Sequence, residues 1–432
     1  MRRPSTKTFR LVAMTAASAA VAACGLSSAN NNNTTNALLA GPTGQPITVG
    51  ISLPLSGPPN GTAQGFAPDG QASKKGYELW ASDVNSHGGL LGRPVKLIIL
   101  NDAGVPKTDA SNYRTLITQD HVDLTLAPFS SLLVSQAAAG VTERYGYALA
   151  AGSAGAPAVY ALKDHDLFST NVPAAEQMLP FARWLAKLPG HPTRAAYPMV
   201  NDPFADPPVQ NAQIYLAKHG VQTVYSKIYS ANIGTRGLEA AAQAVAKTHP
   251  QVVFLGSVAV GTVQAFMTEF AKLNFTPKYF IASSGPDQGN AFLNTVGPGP
   301  AVGAMVPNGW SGTYPNALSH VMVQDYIAKY GGTAADINAD VAESYGAGQV
   351  EAAAVQATDS LNQQKIIIWL HKATVQTVTG PVSFDSNGKN TSSAASALIF
   401  QWQPGQGGSG APQFVQVLPK LLGGKNIIPW AG

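Results

Sequence analysis

The sequence predicts an α/β fold made of two domains, each with a doubly wound parallel sheet. Short β-branched runs alternate with segments whose apolar residues recur at helical spacing. Strict alternation of this kind is typical of parallel sheets with helices on both faces. Hydrophobic residues make up 45% of the chain. A folded part of about 385 residues exceeds one ordinary hydrophobic core, so two domains are expected.

The chain begins with a predicted secretory signal, residues 1–23. Four basic side chains precede the apolar run Leu11 to Ala23, and Val21-Ala22-Ala23-Cys24 then resembles a bacterial lipobox. The run has 13 residues, whereas a membrane-spanning helix needs about 20. Cleavage before Cys24 with lipidation of its thiol predicts an extracytoplasmic protein anchored to the bacterial cell membrane by acyl chains. An ordinary signal peptide with a chance cysteine is the alternative.

Residues 24–45 are predicted to form a flexible linker because they are rich in Asn, Thr, Ser and Gly.

Cys24 is the only cysteine, which excludes a disulfide framework and a thiolate metal site. From Cys24 onward the chain holds 23 basic and 23 acidic residues. A net charge near zero argues against a nucleic-acid partner.

The strands and helices follow one another along the rest of the chain. Seven strands are predicted at Ile47 to Leu53, Val95 to Asn101, Val122 to Ala127, Ala195 to Val200, Gln222 to Tyr229, Val252 to Gly256 and Lys278 to Ala282. Eight helices are predicted at Ser73 to Asn85, Asp109 to Gln119, Gln136 to Tyr145, Ala174 to Leu188, Val209 to His219, Gly237 to Thr248, Val260 to Leu273 and Asp340 to Leu361.

Open sheets of this type bind ligands at the carboxyl ends of their strands, so the loops there are the candidate site. Three of these loops are rich in Ser and Gly: Pro54 to Pro58, Ala127 to Ser131 and Ala151 to Ala154. Free backbone N–H groups at helix starts, flanked by hydroxyls, predict a site for a carboxylate or similar anion. Each loop alone is equally well explained by helix caps and turns.

Several motifs occur in an order that resembles a known family. They are Pro54-Leu55-Ser56-Gly57, Val84 to Val95 with its Asn-x-x-Gly-Gly-x-x-Gly spacing, Asn101-Asp102, Ala127 to Ser131, Asn201 to Phe204, Gly285-Pro286-Asp287 and Thr379 to Asp385. Together they resemble the substrate-binding proteins of branched-chain amino acid ABC transporters. This is the leucine/isoleucine/valine-binding type of periplasmic binding protein, with a type I fold.

The resemblance implies two lobes joined by a three-crossing hinge, which close on a small-molecule ligand. Residues 46–166 and 308–382 would form lobe one, and residues 167–307 and 383–432 would form lobe two. The implied ligand is an amino acid or a related small carboxylate or amide. The implied partners are an ABC permease and its ATPase.

The resemblance also implies roles for individual residues. A serine, Ser130 or Ser131, would hold the ligand carboxylate together with the loop Gly152, Ser153 and Ala154. Asp287, on lobe two, would bind the ammonium group. Phe204 would cover the ligand from the same lobe.

Two positions depart from the family pattern and put branched-chain specificity in doubt. Asp69 stands where relatives often place an aromatic near the ligand side chain, and Val258-Ala259 stands where an aromatic would close from lobe two. Alternatives remain open for the acidic residues: Asp69 could be a solvated turn residue before Gly70, and Asp287 could cap a helix beginning near Gln288.

Enzyme functions find little support in the sequence. The eight His are scattered without metal-ligand spacing, and neither a Gly-x-Ser-x-Gly elbow nor a phosphate loop occurs. We therefore expect no catalytic residues, no metal and no cofactor. The remaining alternatives are a ligand-sensing receptor domain for a membrane partner and a secreted hydrolase.

Overall fold

The computed structural model describes residues 42–57, 66–392, 397–405, 410–420 and 424–432. The predicted signal peptide, Cys24 and the linker as far as residue 41 lie outside the described residues. Across the described part of the chain, every helix is too short or too polar to cross a bilayer.

The first sheet is parallel throughout and has five strands in the order β2-β1-β3-β4-β5. The strands are β1 (Ile47–Leu53), β2 (Val95–Asn101), β3 (Leu124–Leu126), β4 (Leu149–Ala151) and β5 (Leu167–Ser169). Strands β3 and β4 consist of fully buried residues, as their apolar runs predict. We call the part built on this sheet lobe one.

The second sheet has seven strands in the order β14-β13-β10-β9-β8-β6-β7. Its parallel strands are β6 (Arg194–Val200), β7 (Gln222–Tyr229), β8 (Val252–Leu255), β9 (Tyr279–Ala282) and β10 (Ala304–Asn308). Antiparallel β13 (Leu398–Gln403) and β14 (Gln413–Leu418) extend it beyond β10. We call this part lobe two. A separate antiparallel hairpin pairs β11 (Val375–Thr377) with β12 (Gly380–Val382).

Helices cover both sheets. Those in the first stretch of lobe one are α1 (Ala67–Ser86), α2 (Pro106–Thr118), α3 (Ser131–Leu133), α4 (Ala139–Tyr145) and α5 (Pro157–Tyr160), with the π-helical turn Val134–Ala138 joining α3 to α4. Those of lobe two are α6 (Leu179–Ala186), α7 (Asp206–Ala217), α8 (Thr235–Ala246), α9 (Val260–Lys272), α10 (Gly289–Val296) and α11 (Pro298–Ala301). Lobe one is completed by α12 (Ala317–Tyr330), α13 (Ala339–Thr358) and α14 (Gln363–Leu370).

The chain passes between the two lobes three times. Strand β5 begins at residue 167, where the sequence predicts the first crossing, and the chain leaves the first sheet only after Ser169. The return follows β10, because Trp310 is already buried in the core of lobe one. The last crossing precedes β13, since Phe384 still packs in lobe one and bridges to Asn390.

The predicted α/β class and its two lobes of parallel sheet are confirmed. All seven predicted strands are present, and each predicted helix matches a helical segment within a few residues. The predicted helix from Ala174 to Leu188 is interrupted, because a 3-10 turn at Ala174–Glu176 precedes α6. Strands β4, β5 and β10 to β14 were not predicted, and of these the antiparallel β13 and β14 add a mixed edge to lobe two.

The Asn-x-x-Gly-Gly-x-x-Gly motif has a structural role in the turn between α1 and β2. The Asn85 side chain accepts a hydrogen bond from the Val95 N–H at 2.7 Å and donates one to the Val95 carbonyl at 2.9 Å. Gly89 has a φ of +76°, and a Cβ there would lie 2.0 Å from the Arg93 carbonyl oxygen. The motif therefore fixes the residue at which β2 starts. It lies away from the carboxyl ends of the strands, where the candidate site is expected.

Helices α1 and α13 cross at close range over the first sheet. A Cβ on Gly348 would lie 2.4 Å from the ring of Trp80, which is buried. This glycine therefore lets the indole ring pack directly on the backbone of α13. The crossing also fixes where the first turn of α13 lies, and that turn contributes to the candidate site described below.

We expect Gly348→Ala to lower the free energy of unfolding by about 1 to 3 kcal/mol, because overpacking against Trp80 outweighs the better helix propensity of alanine. Gly140→Ala is the matched control, since Gly140 is an exposed helical glycine whose added Cβ would meet no atom within 4 Å. It should be neutral or stabilising by up to about 1 kcal/mol. Denaturant unfolding of both variants measures the difference, and equal effects would contradict the packing argument.

Candidate functional site

A cavity lies at the carboxyl ends of strands from both lobes. Its volume is about 50 Å³, measured as the space open to the centre of a water-sized sphere. Loops after β3, β4 and β5 form one side, loops after β6, β8, β9 and β10 form the other, and the first turn of α13 completes it. The lining residues are Phe129, Ser130, Ser131, Ser153, Asn171, Gln177, Phe204, Val258, Ser283, Ser284, Asp287, Pro307, Asn308, Gly309, Ala339, Asp340 and Glu343.

A larger groove of about 720 Å³ runs between α8 and α9 on lobe two. Among the residues that the structure describes, lobe one contributes only Pro68 to its lining. Since both lobes build the smaller cavity and buried polar side chains line it, the smaller cavity is the candidate site.

Five of the predicted ligand residues line the cavity: Ser130, Ser131, Ser153, Phe204 and Asp287. Three others, Gly152, Ala154 and Asp69, do not. The structure thus brings the predicted loops together at the cavity, but three of the eight predicted residues do not line it.

The three serines of the predicted carboxylate site differ in their hydrogen bonding. Ser131 Oγ accepts a bond from the Ala156 N–H at 3.2 Å, which ties two loops together. Ser153 Oγ donates to Glu343 Oε2 at 2.7 Å. Ser130 is 7% exposed, and its Oγ has no hydrogen-bond partner. Of these three serines, only Ser130 has a hydroxyl without a hydrogen bond inside the protein, and the Ser131 hydroxyl still has its proton to donate.

Gly152 and Ala154 have packing roles. A Cβ on Gly152 would lie 2.5 Å from the Glu343 carbonyl oxygen, so this glycine lets the start of α13 approach the loop after β4. Ala154 is fully buried, and its carbonyl accepts a bond from Ser169 Oγ at 2.8 Å. Both residues position the first turn of α13 and the neighbouring loops.

Asp287 does not cap the helix that follows it. Helix α10 begins at Gly289, its N-cap residue is Gln288, and no side chain caps it. The Asp287 carboxylate instead accepts bonds from the Gly285 N–H at 2.7 Å and from Asn308 Nδ2 at 3.0 Å. These bonds hold one carboxylate at the lobe-two wall of the cavity.

Asp69 is not a solvated turn residue. It lies in the first turn of α1, is 3% exposed, and accepts a bond from Gln288 Nε2 at 2.8 Å. Gln288 belongs to lobe two, so this bond joins the lobes inside the cleft. A second bond between the lobes runs from Asn290 Nδ2 to Asp336 Oδ1.

Asp340 and Glu343 are the site residues that the sequence reasoning missed. They lie in the first turns of α13, and Ser153 Oγ bridges them, at 3.3 Å from Asp340 Oδ1 and 2.7 Å from Glu343 Oε2. Asp69 and Asp340 share a side-chain hydrogen bond. The four carboxyls Asp69, Asp287, Asp340 and Glu343 thus form one acidic cluster, and all but Asp69 line the cavity.

Burial raises the pKa of every carboxyl in the acidic cluster. Burial and the nearby Asp287 charge raise the pKa of Asp340 to about 7. The pKa values of Asp69 and Glu343 lie well above their ordinary values, because burial and then the Asp340 charge disfavour ionisation. Burial also raises the pKa of Asp287, against the bonds from Gly285, Ser284 and Asn308.

The acidic cluster has no basic side chain beside it. None of the described lining residues is Lys, Arg or His. Among the described residues, no group of three or more His, Cys, Asp and Glu side chains is arranged to hold a metal ion. No described lining residue therefore offsets the repulsion between these carboxyls.

Aromatic rings close the cavity on two sides. Phe204 stands on a turn that Asp202 organises by accepting bonds from the Phe204 and Ala205 N–H groups at 2.8 and 3.0 Å. Phe129 faces it from lobe one and packs edge-on against Phe66 at 5.6 Å between ring centroids. Val258 also lines the cavity, at the position where an aromatic was expected from the family pattern.

A family model described as periplasmic binding protein matches residues 46–409. A leucine binding protein from Thermotoga maritima superposes with a TM-score of 0.70 at 17% identity, covering 85% of this chain and 97% of that chain. A branched-chain amino acid transporter substrate binding protein from Streptococcus pneumoniae, in complex with isoleucine, gives 0.70 at 17%, covering 86% and 100%. A solute binding protein of an ABC transporter from Rhodopseudomonas palustris, in complex with 3,4-dihydroxybenzoic acid, gives 0.69 at 15%, covering 85% and 95%. At these identities the likeness is one of fold.

The acidic cluster predicts a pH dependence of stability. A carboxyl whose pKa is raised on folding contributes stability that is complete below its unfolded pKa and is lost as the pH rises through its folded pKa. For Asp340 this window runs from 3.8 to about 7. We expect the Tm of the ligand-free protein to fall between about pH 4 and about pH 7, and Asp340→Asn to reduce that fall.

Calorimetric scans across this pH range measure the effect. Asp120→Asn, at an exposed carboxyl outside the cluster, is the control and should leave the slope of Tm against pH unchanged. The same slope in the wild type and in Asp340→Asn would contradict the assignment.

Proposed function

Because the chain belongs to the periplasmic binding protein family, we propose that it is the extracytoplasmic solute-binding subunit of an ABC importer. Its solute would bind in the cavity between the lobes and be delivered to a permease with its ATPase. The observation that carries this proposal is the position of the cavity: loops at the strand ends of both sheets line it. The comparison structures described as binding isoleucine and a dihydroxybenzoic acid support a small organic solute.

Within this proposal the predicted site residues divide into two groups. We assign ligand contacts to Ser130, Ser131, Ser153, Phe204 and Asp287, since they line the cavity. In the second group, Gly152, Ala154 and Asp69 would position the loops and the first turn of α13. Asp287 would bind an ammonium group, because its carboxylate is held at the cavity wall.

We infer binding rather than catalysis at this site. No histidine lines the cavity among the described residues, and the hydroxyl of Ser130 has no hydrogen-bond partner that could act as its base. A hydrolase would need such a base to activate its nucleophile.

The lipid anchor at Cys24 is part of the proposal. Its support is the sequence alone, in which small residues precede a single cysteine at the end of a short apolar run. Such an anchor would keep the lobes close to the permease.

We expect solute binding to compact the molecule by hinge closure, because the ligand would contact both lobes and stabilise the closed state. Gln288→Ala, which removes the buried bond to Asp69, should weaken binding by lowering the closed fraction. Small-angle scattering with and without a bound solute measures the radius of gyration. An unchanged radius at saturation would contradict closure.

We expect Cys24→Ser to release the protein from membranes while solute affinity stays within about twofold, because the linker separates the anchor from the lobes. Fractionation of cells expressing each form, followed by titration of the soluble material, gives both quantities. If the variant still sediments with membranes after a salt wash, the lipid anchor is wrong.

A further inference from the structure

We propose that the cavity selects a compact cation with at least two protonated nitrogen groups and no carboxylate. This inference rests on the proposed solute-binding function and names the chemical class of its solute. It is carried by the acidic cluster together with two buried, unpartnered polar atoms in the cavity wall.

The acidic groups are divided between the lobes. Asp287 lies on lobe two, after β9, whereas Asp340 and Glu343 lie on lobe one, at the start of α13. A solute with two cationic nitrogens can therefore pair with a carboxylate on each side. Such a solute would neutralise like charges that no described lining residue neutralises.

The side-chain amides around the cavity are already engaged as donors. Asn308 Nδ2 donates to Asp287 at 3.0 Å, and Gln177 Nε2 donates to the Val172 carbonyl at 3.0 Å. The Asn171 side chain bonds to Glu343. Each of these bonds directs an amide N–H to a protein oxygen.

Two buried atoms in the wall lack partners. Gln177 is 3% exposed and Ser130 is 7% exposed, and neither Gln177 Oε1 nor Ser130 Oγ has a hydrogen-bond partner. The bond from Gln177 Nε2 to a carbonyl fixes the amide so that its oxygen is the unpaired atom. That oxygen can only accept, so it requires a donor from the solute.

A carboxylate on the solute would be unfavourable in this cavity. It would face Asp287, Asp340 and Glu343 without a Lys, Arg or His side chain among the described lining residues. The proposed selectivity therefore differs from that of a site for zwitterionic amino acids. Ammonium and guanidinium groups satisfy both the carboxylates and the Gln177 oxygen.

Binding of a dication should also release protons. Burial and the nearby charge raise the pKa of Asp340 to about 7, so this carboxyl is partly protonated near neutral pH, and burial raises the pKa of Glu343 in the same direction. A cation favours the ionised carboxylates, so each proton displaced passes to the buffer. Affinity should accordingly rise with pH between about 5 and 8, and fewer protons should be released at the upper end.

Titration calorimetry on the purified full chain tests the class of solute with a matched series. 1,4-Diaminobutane and agmatine carry two cationic groups, whereas butylamine carries one and 1,4-butanediol none. Leucine and benzoate represent zwitterions and anions. We expect the dications to bind about 30-fold or more tightly than butylamine, because pairing a second desolvated charge is worth at least that factor.

Two variants connect this binding to the acidic cluster. Glu343→Gln and Asp340→Asn should each weaken binding of the best dication about 30-fold or more. Glu351→Gln is the matched control, since Glu351 is a buried carboxyl two turns further along α13 that does not line the cavity. It should leave affinity unchanged. Melting curves of the ligand-free variants establish that each one folds.

The outcomes separate this inference from the proposed function. Binding of leucine or benzoate with hinge closure, and none of the dications, would overturn the cationic class while the solute-binding function stands. Dication binding that Glu343→Gln and Asp340→Asn do not weaken would also overturn it. The binding enthalpy is measured in buffers of different ionisation enthalpy, and its dependence on the buffer gives the number of protons released. If no protons are released near pH 6, the cluster does not ionise on binding and this part of the inference is wrong. If no probe binds, the cationic class is overturned, and the solute-binding function is then judged by hinge closure with other solutes.

Discussion

The electrostatic constraint on this cleft is that four carboxyls lie together, Asp69 buried and the other three half-buried, without a basic side chain among the described lining residues. Two of them stand at the start of α13, where the helix dipole favours negative charge. The surrounding residues nevertheless raise their pKa values, so the loss of water and the mutual repulsion exceed the stabilisation from the dipole. Much of the surrounding architecture serves to hold these groups in place. Gly152 admits the turn that bears Glu343, and Asn308 and Gly285 fix Asp287.

The fold is shared with binding proteins for chemically different solutes, and this places specificity in the loops at the strand ends. In this chain the loops after β3 and β4 keep the Ser-rich character of the family motif. Their hydroxyls, however, are largely used within the protein: Ser131 ties two loops together and Ser153 serves Glu343 and Asp340. The polarity of the cavity is thus set by α13 and by the loop after β9.

Much of the fold could be predicted from the sequence because buried parallel strands are continuous apolar runs that periodicity detects. Strands β13 and β14 were missed because they follow the last crossing in a region rich in Gly, Ser and Gln, where no helix separates them. The loops of the site could be located, and Asp287 was found through its motif. Asp340 and Glu343 escaped because acidic residues in a first helical turn ordinarily serve the dipole. Only the tertiary approach of Gly152, Asp69 and Asp287 brings them into one acidic cluster.

The order of the strands in lobe two means that a late segment of the chain completes the sheet of that lobe. Strand β10 pairs on one side with β9 and on the other with β13, which arrives only after all of lobe one has been traversed. The final residues then seal the same lobe, where the Trp430 indole donates to the Pro300 carbonyl at 2.7 Å. Until β13 has paired with β10, the backbone N–H and C=O groups on that edge of β10 lack partners. The residues of β10, which are buried in the folded protein, are then uncovered. While the chain folds, this edge would be open to pairing with other chains, so the last part of the polypeptide acts as a cover against self-association as well as a structural element.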